Sequence, residues 1–156
     1  MSNYYNDLQY VEKVQVHPVF SIIILLFIGF LAHLKINFQG DVPDILLLFL
    51  ILFLSLVYVN FMKLDIIITS EKLIVGFGVI KHKIRLDNID HVKIRKPPWY
   101  YYGGLGIRFG WDWSIGFLQN YKRGILITPI KGRKIFFSTN NPEKIINILE
   151  EQKNIF

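Results

Sequence analysis

Residues 45–62 read ILLLFLILFLSLVYVNFM, and this stretch decides the architecture. It holds no Asp, Glu, Lys or Arg, and 14 of its 18 positions are Leu, Ile, Phe or Val. As a helix it reaches about 27 Å at 1.5 Å per residue, close to the hydrocarbon thickness of a bilayer. On an insertion scale the 14 side chains favour lipid by about 6 kcal/mol, offset in part by Ser55, Tyr58 and Asn60. Upstream, residues 19–34 read VFSIIILLFIGFLAHL, a second uncharged run. Adding His17 and Pro18 before it and Lys35 and Ile36 after it extends it to about 20 residues, with Lys35 able to snorkel. The link KINFQGDVPD, residues 35–44, is short, is punctuated by Gly40 and Pro43, and offers Asp41 or Asp44 as a cap for the second helix. Together these runs predict an antiparallel hairpin of two transmembrane helices, 18–36 and 44–62. A chain this small cannot enclose two helices that are apolar all round, which argues against a buried helical pair. A cleaved signal peptide is not expected, because the first 17 residues lack a basic region and no A-x-A site follows the apolar run.

Composition narrows the rest. The chain has 156 residues, of which 52% are hydrophobic, so there is ample apolar surface to bury and intrinsic disorder is excluded. With no cysteine, disulfide scaffolds, thiolate zinc sites, iron–sulfur clusters and Cys nucleophiles are excluded as well. The net charge of +6 is unevenly divided. Residues 1–62 carry two lysines against four carboxylates, a net of −2, whereas residues 63–156 carry 16 Lys/Arg against 8 Asp/Glu, a net of +8. Lys63, Lys72 and Lys81 follow the second span closely, so the positive-inside rule predicts a multi-pass protein of the cell membrane with both termini in the cytoplasm. Residues 1–17 then form a cytoplasmic tail and residues 63–156 a cytoplasmic domain.

That domain reads as strands. DIIIT (65–69), LIVGFGVI (73–80), KHKIRL (81–86) and IDHVKIR (89–95) are separated by turn signals at Ser70-Glu71-Lys72 and Asp87-Asn88. PPWYYYGG (97–104) breaks the pattern, LGIRFG (105–110) and WDWSIGF (111–117) resume it, and GILITPI (124–130) and KIFFS (134–138) flank the hairpin signal Lys131-Gly132-Arg133. The end changes character: in NPEKIINILEEQK, Asn141 is the N-cap, Pro142 the first helical residue, and Ile145, Ile146, Ile148 and Leu149 form an apolar stripe. The predicted fold is therefore a membrane helical hairpin followed by about seven antiparallel strands in an open barrel, capped by a C-terminal helix.

The segments YYYGGLGIRFGWDWSIGF (100–117) and RGILITPIKGRKIFFSTNNPEKIINIL (123–149) resemble the bacterial PH-like domains, short membrane-associated relatives of pleckstrin-homology folds. The resemblance rests on Gly103 to Arg108, on Gly132 at a hairpin turn, and on Thr139 before Asn141-Pro142-Glu143. IIITSEKLIVGFG (66–78), IRLDNIDHVKI (84–94) and the preceding pair of helices fit it too. It implies a PH-like fold and possible homo-oligomers, and it supplies no catalytic residue. The stretch 110–121 matches less closely.

Two groups of residues are candidates for binding. Lys81, Lys83 and Arg85 alternate and share one face of a strand, with Lys93 and Arg95 on the next, so adjacent strands would present a basic patch to anionic headgroups. A solvated strand face is the plain alternative. Trp99, Tyr100, Tyr101, Tyr102, Trp111 and Trp113, with Arg108, offer an interfacial belt or a protein-contact surface, or else core filling. The glycines at 103, 104, 106 and 110 match neither GxGxxG nor a P-loop. The histidines 17, 33, 82 and 91 show no metal-ligand spacing, there is no GxSxG elbow, and Asp112 is a lone carboxylate. No catalytic residue, metal or cofactor is expected, and the basic charge suits lipid rather than nucleic acid. The expected function is a non-enzymatic integral membrane protein whose cytoplasmic domain is a binding or scaffold module. Its expected partners are membrane lipids, an unknown membrane or cytoplasmic protein, or further copies of itself. The alternative is an accessory subunit of a larger membrane assembly such as a transporter or channel.

Overall fold

The computed structural model describes residues 7–16, 18–37 and 44–153. Strand β1 (Leu8–Gln15) leads into helices α1 (Pro18–Asn37) and α2 (Asp44–Phe61), then β2 (Lys63–Thr69), β3 (Lys72–Phe77) and β4 (Ile80–Arg85). A 3-10 turn at Leu86–Asn88 precedes β5 (Ile89–Arg95), the one-turn helix α3 (Trp99–Tyr102), β6 (Gly106–Phe109), β7 (Ile115–Leu118), β8 (Gly124–Pro129), β9 (Ile135–Ser138) and α4 (Pro142–Lys153). The link residues 38–43, including the cap suggested at Asp41, lie outside the described residues.

The strands form two sheets, one ordered β1-β2-β3-β4 and the other β5-β8-β9-β7-β6. The first is antiparallel throughout; the second holds one parallel pair, β7 with β9. This corrects the expected open barrel of about seven antiparallel strands. Among the described residues nine strands divide between two sheets, and β7 reaches β9 by a crossover rather than a hairpin. Residues 8–15, expected as part of a tail, supply an edge strand. In LQYVEKVQ the inward positions are Tyr10, Glu12 and Val14, so a carboxylate stands where an apolar residue would have signalled a strand. Glu12 is accommodated by three donors: the hydroxyls of Tyr10 (2.8 Å) and Thr139 (2.5 Å), and the backbone N–H of Asn140 (2.8 Å). The contact ties β1 to the start of α4.

The core lies between the sheets. Alternate residues of β2 (Leu64, Ile66, Ile68) and β3 (Leu73, Val75, Phe77) meet Ile125, Ile127, Ile135 and Phe137 of β8 and β9, all fully or almost fully buried. Helix α4 closes one side with Ile145 and Leu149, the stripe of helical period on an otherwise polar helix.

The helical hairpin is inserted between two paired strands. Gln15 is in register with Lys63, and the N–H of Val16 donates to the carbonyl of Met62 (3.1 Å), so the neck of the hairpin is closed by β1–β2 pairing. The C-terminus of α2 is held by long-range contacts. Gln119 Nε2 donates to the carbonyls of Phe61 (3.1 Å) and Met62 (3.0 Å), which a helix end otherwise leaves without intrahelical partners. Asn60 Oδ1 accepts the N–H of Val79 (3.0 Å), and the ring of Phe61 lies 5.1 Å from that of Phe77. A Cβ on Gly78 would come within 2.2 Å of Asn60 Oδ1, so only glycine fits at that approach.

Beyond the neck the helices present apolar side chains outward: Ile22, Leu26 and Phe27 of α1 and Leu46, Phe49 and Leu52 of α2 are all more than half exposed. Among the described residues, however, no helix is long and apolar enough to cross a membrane. This corrects the expected transmembrane hairpin and, with it, the multi-pass cell-membrane location with cytoplasmic termini. The uninterrupted apolar runs are short. Residues 22–32 lie between Ser21 and His33, and residues 45–54 end at Ser55. Eleven and ten residues at 1.5 Å reach about 15–17 Å, roughly half the ~30 Å hydrocarbon core.

Because Gln119 is fully buried and holds the end of α2, Gln119→Leu should cost about 1–3 kcal/mol by removing the side-chain donor to the Phe61 carbonyl and one of the two donors to the Met62 carbonyl. Denaturant unfolding of the two chains in the same mild detergent measures it; an unchanged midpoint would show that the joint contributes nothing.

Candidate functional site

Three surfaces merit attention, and the register of the strands fixes their order along the molecule. The first is the apolar hairpin with a cavity at its base. The cavity, about 320 Å³, is walled by Ile24, Val57 and Phe61 of the helices and by Leu105 and Ile107 beside and within β6; its polar groups are Tyr58, Arg108 and Gln119.

The second surface is basic and departs from the expected patch. Strand β4 pairs only with β3 and β5 only with β8, so the basic residues of β4 and β5 belong to different sheets. On β4, Lys81 is paired with Asp65 (2.9 Å) and Arg85 with Asp87 (2.5 Å), while Lys83 lies exposed between them. On β5, Lys93 is exposed, and Arg95 lies over the ring of Tyr101 at 4.6 Å. What β4 joins instead is the β8–β9 turn: Lys83, Arg85, Lys131 and Arg133 line an open groove of about 930 Å³. Asn88 fixes that turn, its Nδ2 donating to the carbonyl of Lys131 (2.9 Å) and its Oδ1 accepting Lys131 N–H (3.0 Å). Lys131 and Arg133 were legible only as a hairpin signal; their role in the groove comes from the 43-residue separation that Asn88 spans. Burial pushes His82 below its ordinary value, so this neighbour is neutral at pH 7 and the positive charge of the groove comes from its lysines and arginines, against one lining carboxylate, Asp87, which pairs with Arg85. The start of β4 is the end near the neck, since Ile80 pairs with Phe77, which packs on Phe61. Arg85 lies five residues further, about 17 Å along the strand. The Arg85 side of the groove therefore lies at the end of β4 remote from the neck.

The third surface is aromatic, and the structure splits the expected cluster. Tyr102 is buried, its ring 5.4 Å from Phe136. Tyr101 is half-buried beneath Arg95. Trp99, Tyr100, Trp111 and Trp113 are exposed, joined by Phe109, which the sequence reading did not single out. The tryptophans 111 and 113 sit on a tight loop closed by Gly110 N–H to Ser114 O (2.8 Å) and Trp113 N–H to Gly110 O (2.9 Å). Trp113 adopts φ 59°, a left-handed conformation that a bulky side chain disfavours by about 1–2 kcal/mol. A carboxylate secures the loop. Asp112 Oδ1 accepts Ser114 Oγ–H (2.6 Å) and Ser114 N–H (3.2 Å). The Ser114 hydroxyl proton is thus committed, so the 3.0 Å contact with Tyr102 is a donation from the tyrosine. Burial works to raise the pKa of Asp112, but the hydrogen bonds from Ser114 and Tyr101 hold it below the usual value. A carboxylate so depressed is a poor base and Ser114 has no imidazole, so the chain Tyr102–Ser114–Asp112 is a loop lock. Among the described residues no group of three or more His, Asp or Glu converges as metal ligands would.

Comparison with protein-family models, with curated proteins and with solved structures returns no match. The resemblance to PH-like domains rests on the quoted motifs alone.

Two outcomes follow for this region. Trp113→Gly removes the left-handed penalty and loses little burial, so it should raise stability by about 0.5–1 kcal/mol in denaturant unfolding; a lower midpoint would show that the indole is held by packing. Burial raises the phenols of Tyr10 and Tyr102 to about 12 each, against 10.0 unfolded. Their contribution to stability is fully present below pH 10 and is lost as pH rises from 10 to 12. The Tyr102→Phe chain should lose stability less steeply across that window, measured by unfolding at a series of pH values; parallel slopes would contradict the assignment.

Proposed function

We propose that this chain is a non-enzymatic docking and scaffold module that seats its helical hairpin in lipid from one side and offers its β body to protein partners. The observation that carries the reading is the outward apolar surface of α1 and α2. Eighteen large hydrophobic residues on these helices are exposed. Covering them is worth roughly 10–20 kcal/mol, at about 1 kcal/mol for each half-exposed side chain. The exposed residues spread over more than half of each helix's circumference rather than forming one narrow stripe. A second hairpin would cover only part of so broad a face, whereas acyl chains cover all of it. The short apolar runs suit entry to about the depth of one leaflet, with both helix ends returning to the neck; the reading requires no helix to cross a bilayer. At the other end the groove of Lys83, Arg85, Lys131 and Arg133 suits an acidic protein segment held clear of the lipid. The Asp112 lock, whose groups hold a turn, supports a non-enzymatic role.

Flotation of the full chain with neutral phosphatidylcholine vesicles tests this. The chain should rise with the vesicles, and a variant carrying Leu26→Ser, Phe27→Ser, Leu46→Ser and Phe49→Ser should float at least tenfold less while keeping its β-sheet circular dichroism. A wild-type chain that stays with the aqueous fraction, or a variant that floats equally well, would overturn the reading.

A further inference from the structure

We infer that the cavity at the base of the hairpin is a binding site for one anionic amphiphile, its acyl chain lying between the helices and β6 and its charged oxyacid head held by Arg108. The site builds on the lipid-docking reading and goes further by naming a ligand class and the residue that selects it.

The walls divide by chemistry. Ile24, Val57, Phe61 and Ile107 supply an apolar slot of about 320 Å³ that is continuous with the exposed surface of the helices, a volume in the range of small-molecule sites. Among the described residues Arg108, itself exposed, is the one charged residue in the lining, and no carboxylate lines the cavity. Among the described residues Arg108 makes no ion pair. A guanidinium beside an apolar wall is matched by a carboxylate or phosphate, which accepts two parallel N–H donors.

The backbone around the arginine is shaped to keep it there. Gly104 has φ 153°, and a Cβ at that position would lie 3.0 Å from Arg108 Nε, so a side chain there would press on the guanidinium. Gly106, at φ 89°, brings the start of β6 against Phe61, whose ring would be 3.6 Å from an added Cβ. These two glycine conformations flank Leu105 at the start of β6, and Arg108 shares the cavity lining with Phe61 at the end of α2. The sequence exposes this only as the run Gly103 to Arg108. The head could be the carboxylate of a fatty acid or the phosphodiester of an anionic phospholipid; both present oxyanion acceptors on a chain.

The test uses the full chain in dodecyl maltoside micelles and measures equilibrium binding of four probes: oleate, phosphatidylglycerol, oleyl alcohol and inorganic phosphate. Oleate, phosphatidylglycerol or both should bind at one per chain, and which of them binds identifies the head. Arg108→Gln should weaken that binding about tenfold or more and leave oleyl alcohol unchanged. Val57→Phe, which adds bulk to the slot, should weaken the charged amphiphiles and oleyl alcohol alike. Millimolar phosphate should not compete. The inference fails if neither charged amphiphile binds better than oleyl alcohol, if Arg108→Gln leaves their binding intact, if Val57→Phe changes nothing, or if phosphate competes as well as oleate. Flotation with neutral vesicles does not depend on Arg108, so a variant that still floats but binds no oleate supports the site, and a wild type that floats without binding oleate or phosphatidylglycerol sinks the site alone.

Discussion

Pairing of β1 with β2 closes the chain around its own helical hairpin, and the rest of the molecule is arranged on that closure. Gln15 and Lys63 are neighbours across the sheet although two helices separate them in sequence. Closing so long a loop carries an entropic cost that grows slowly with length, and several fixed contacts offset it. The Val16–Met62 hydrogen bond, the Gln119 amide on the last carbonyls of α2 and the Phe61–Phe77 contact all meet at the neck. Farther along β1, Glu12 is bonded to residues at the start of α4. One edge strand therefore links the hairpin, the first sheet and the C-terminal helix.

This arrangement separates two chemistries along one axis. Apolar helices leave the body at the neck, and the basic groove sits at the opposite end of β4. Charge near the neck comes from Arg108, from Lys63 at the start of β2 and from Lys81, the last of these paired with Asp65. The charged strand read from the sequence as a lipid-facing patch is thus placed toward the end of β4 away from the helical hairpin. The aromatic loop at residues 110–114 stays off the core because Asp112 and Ser114 hold it there, at the expense of an unfavourable φ at Trp113.

Local pattern carried part of this fold. The two apolar runs, the strand at 89–95 and the Asn141-Pro142 helix start are visible in order and position, because periodicity and caps are local signals. What failed was non-local or exceptional. Strand β1 was hidden by Glu12 facing inward, and its partner lies on the far side of two helices. The parallel β7–β9 pair has no turn to announce it. The hydrophobicity of the helices is legible in the sequence, but Ser21, His33 and Ser55 cut their uninterrupted apolar runs to 11 and 10 residues. Among the candidate residues, alternation placed Lys81, Lys83 and Arg85 on one face, but only tertiary contact could bring Lys131 and Arg133 to them or set Arg108 against the end of α2.

The central claim is that the exposed faces of α1 and α2 lie in acyl chains while the far end of the β body stays in water. The chain has no cysteine, so single spin labels can be placed without background. Labels at Leu26→Cys and Phe49→Cys, with one at Ile130→Cys beside the basic groove, should be compared in phosphatidylcholine vesicles by their collision rates with oxygen and with a neutral nickel chelate. The account predicts that the two helix labels meet oxygen freely and nickel rarely, and that the label at position 130 shows the reverse. Nickel access at Leu26 and Phe49 equal to that at Ile130 would contradict it.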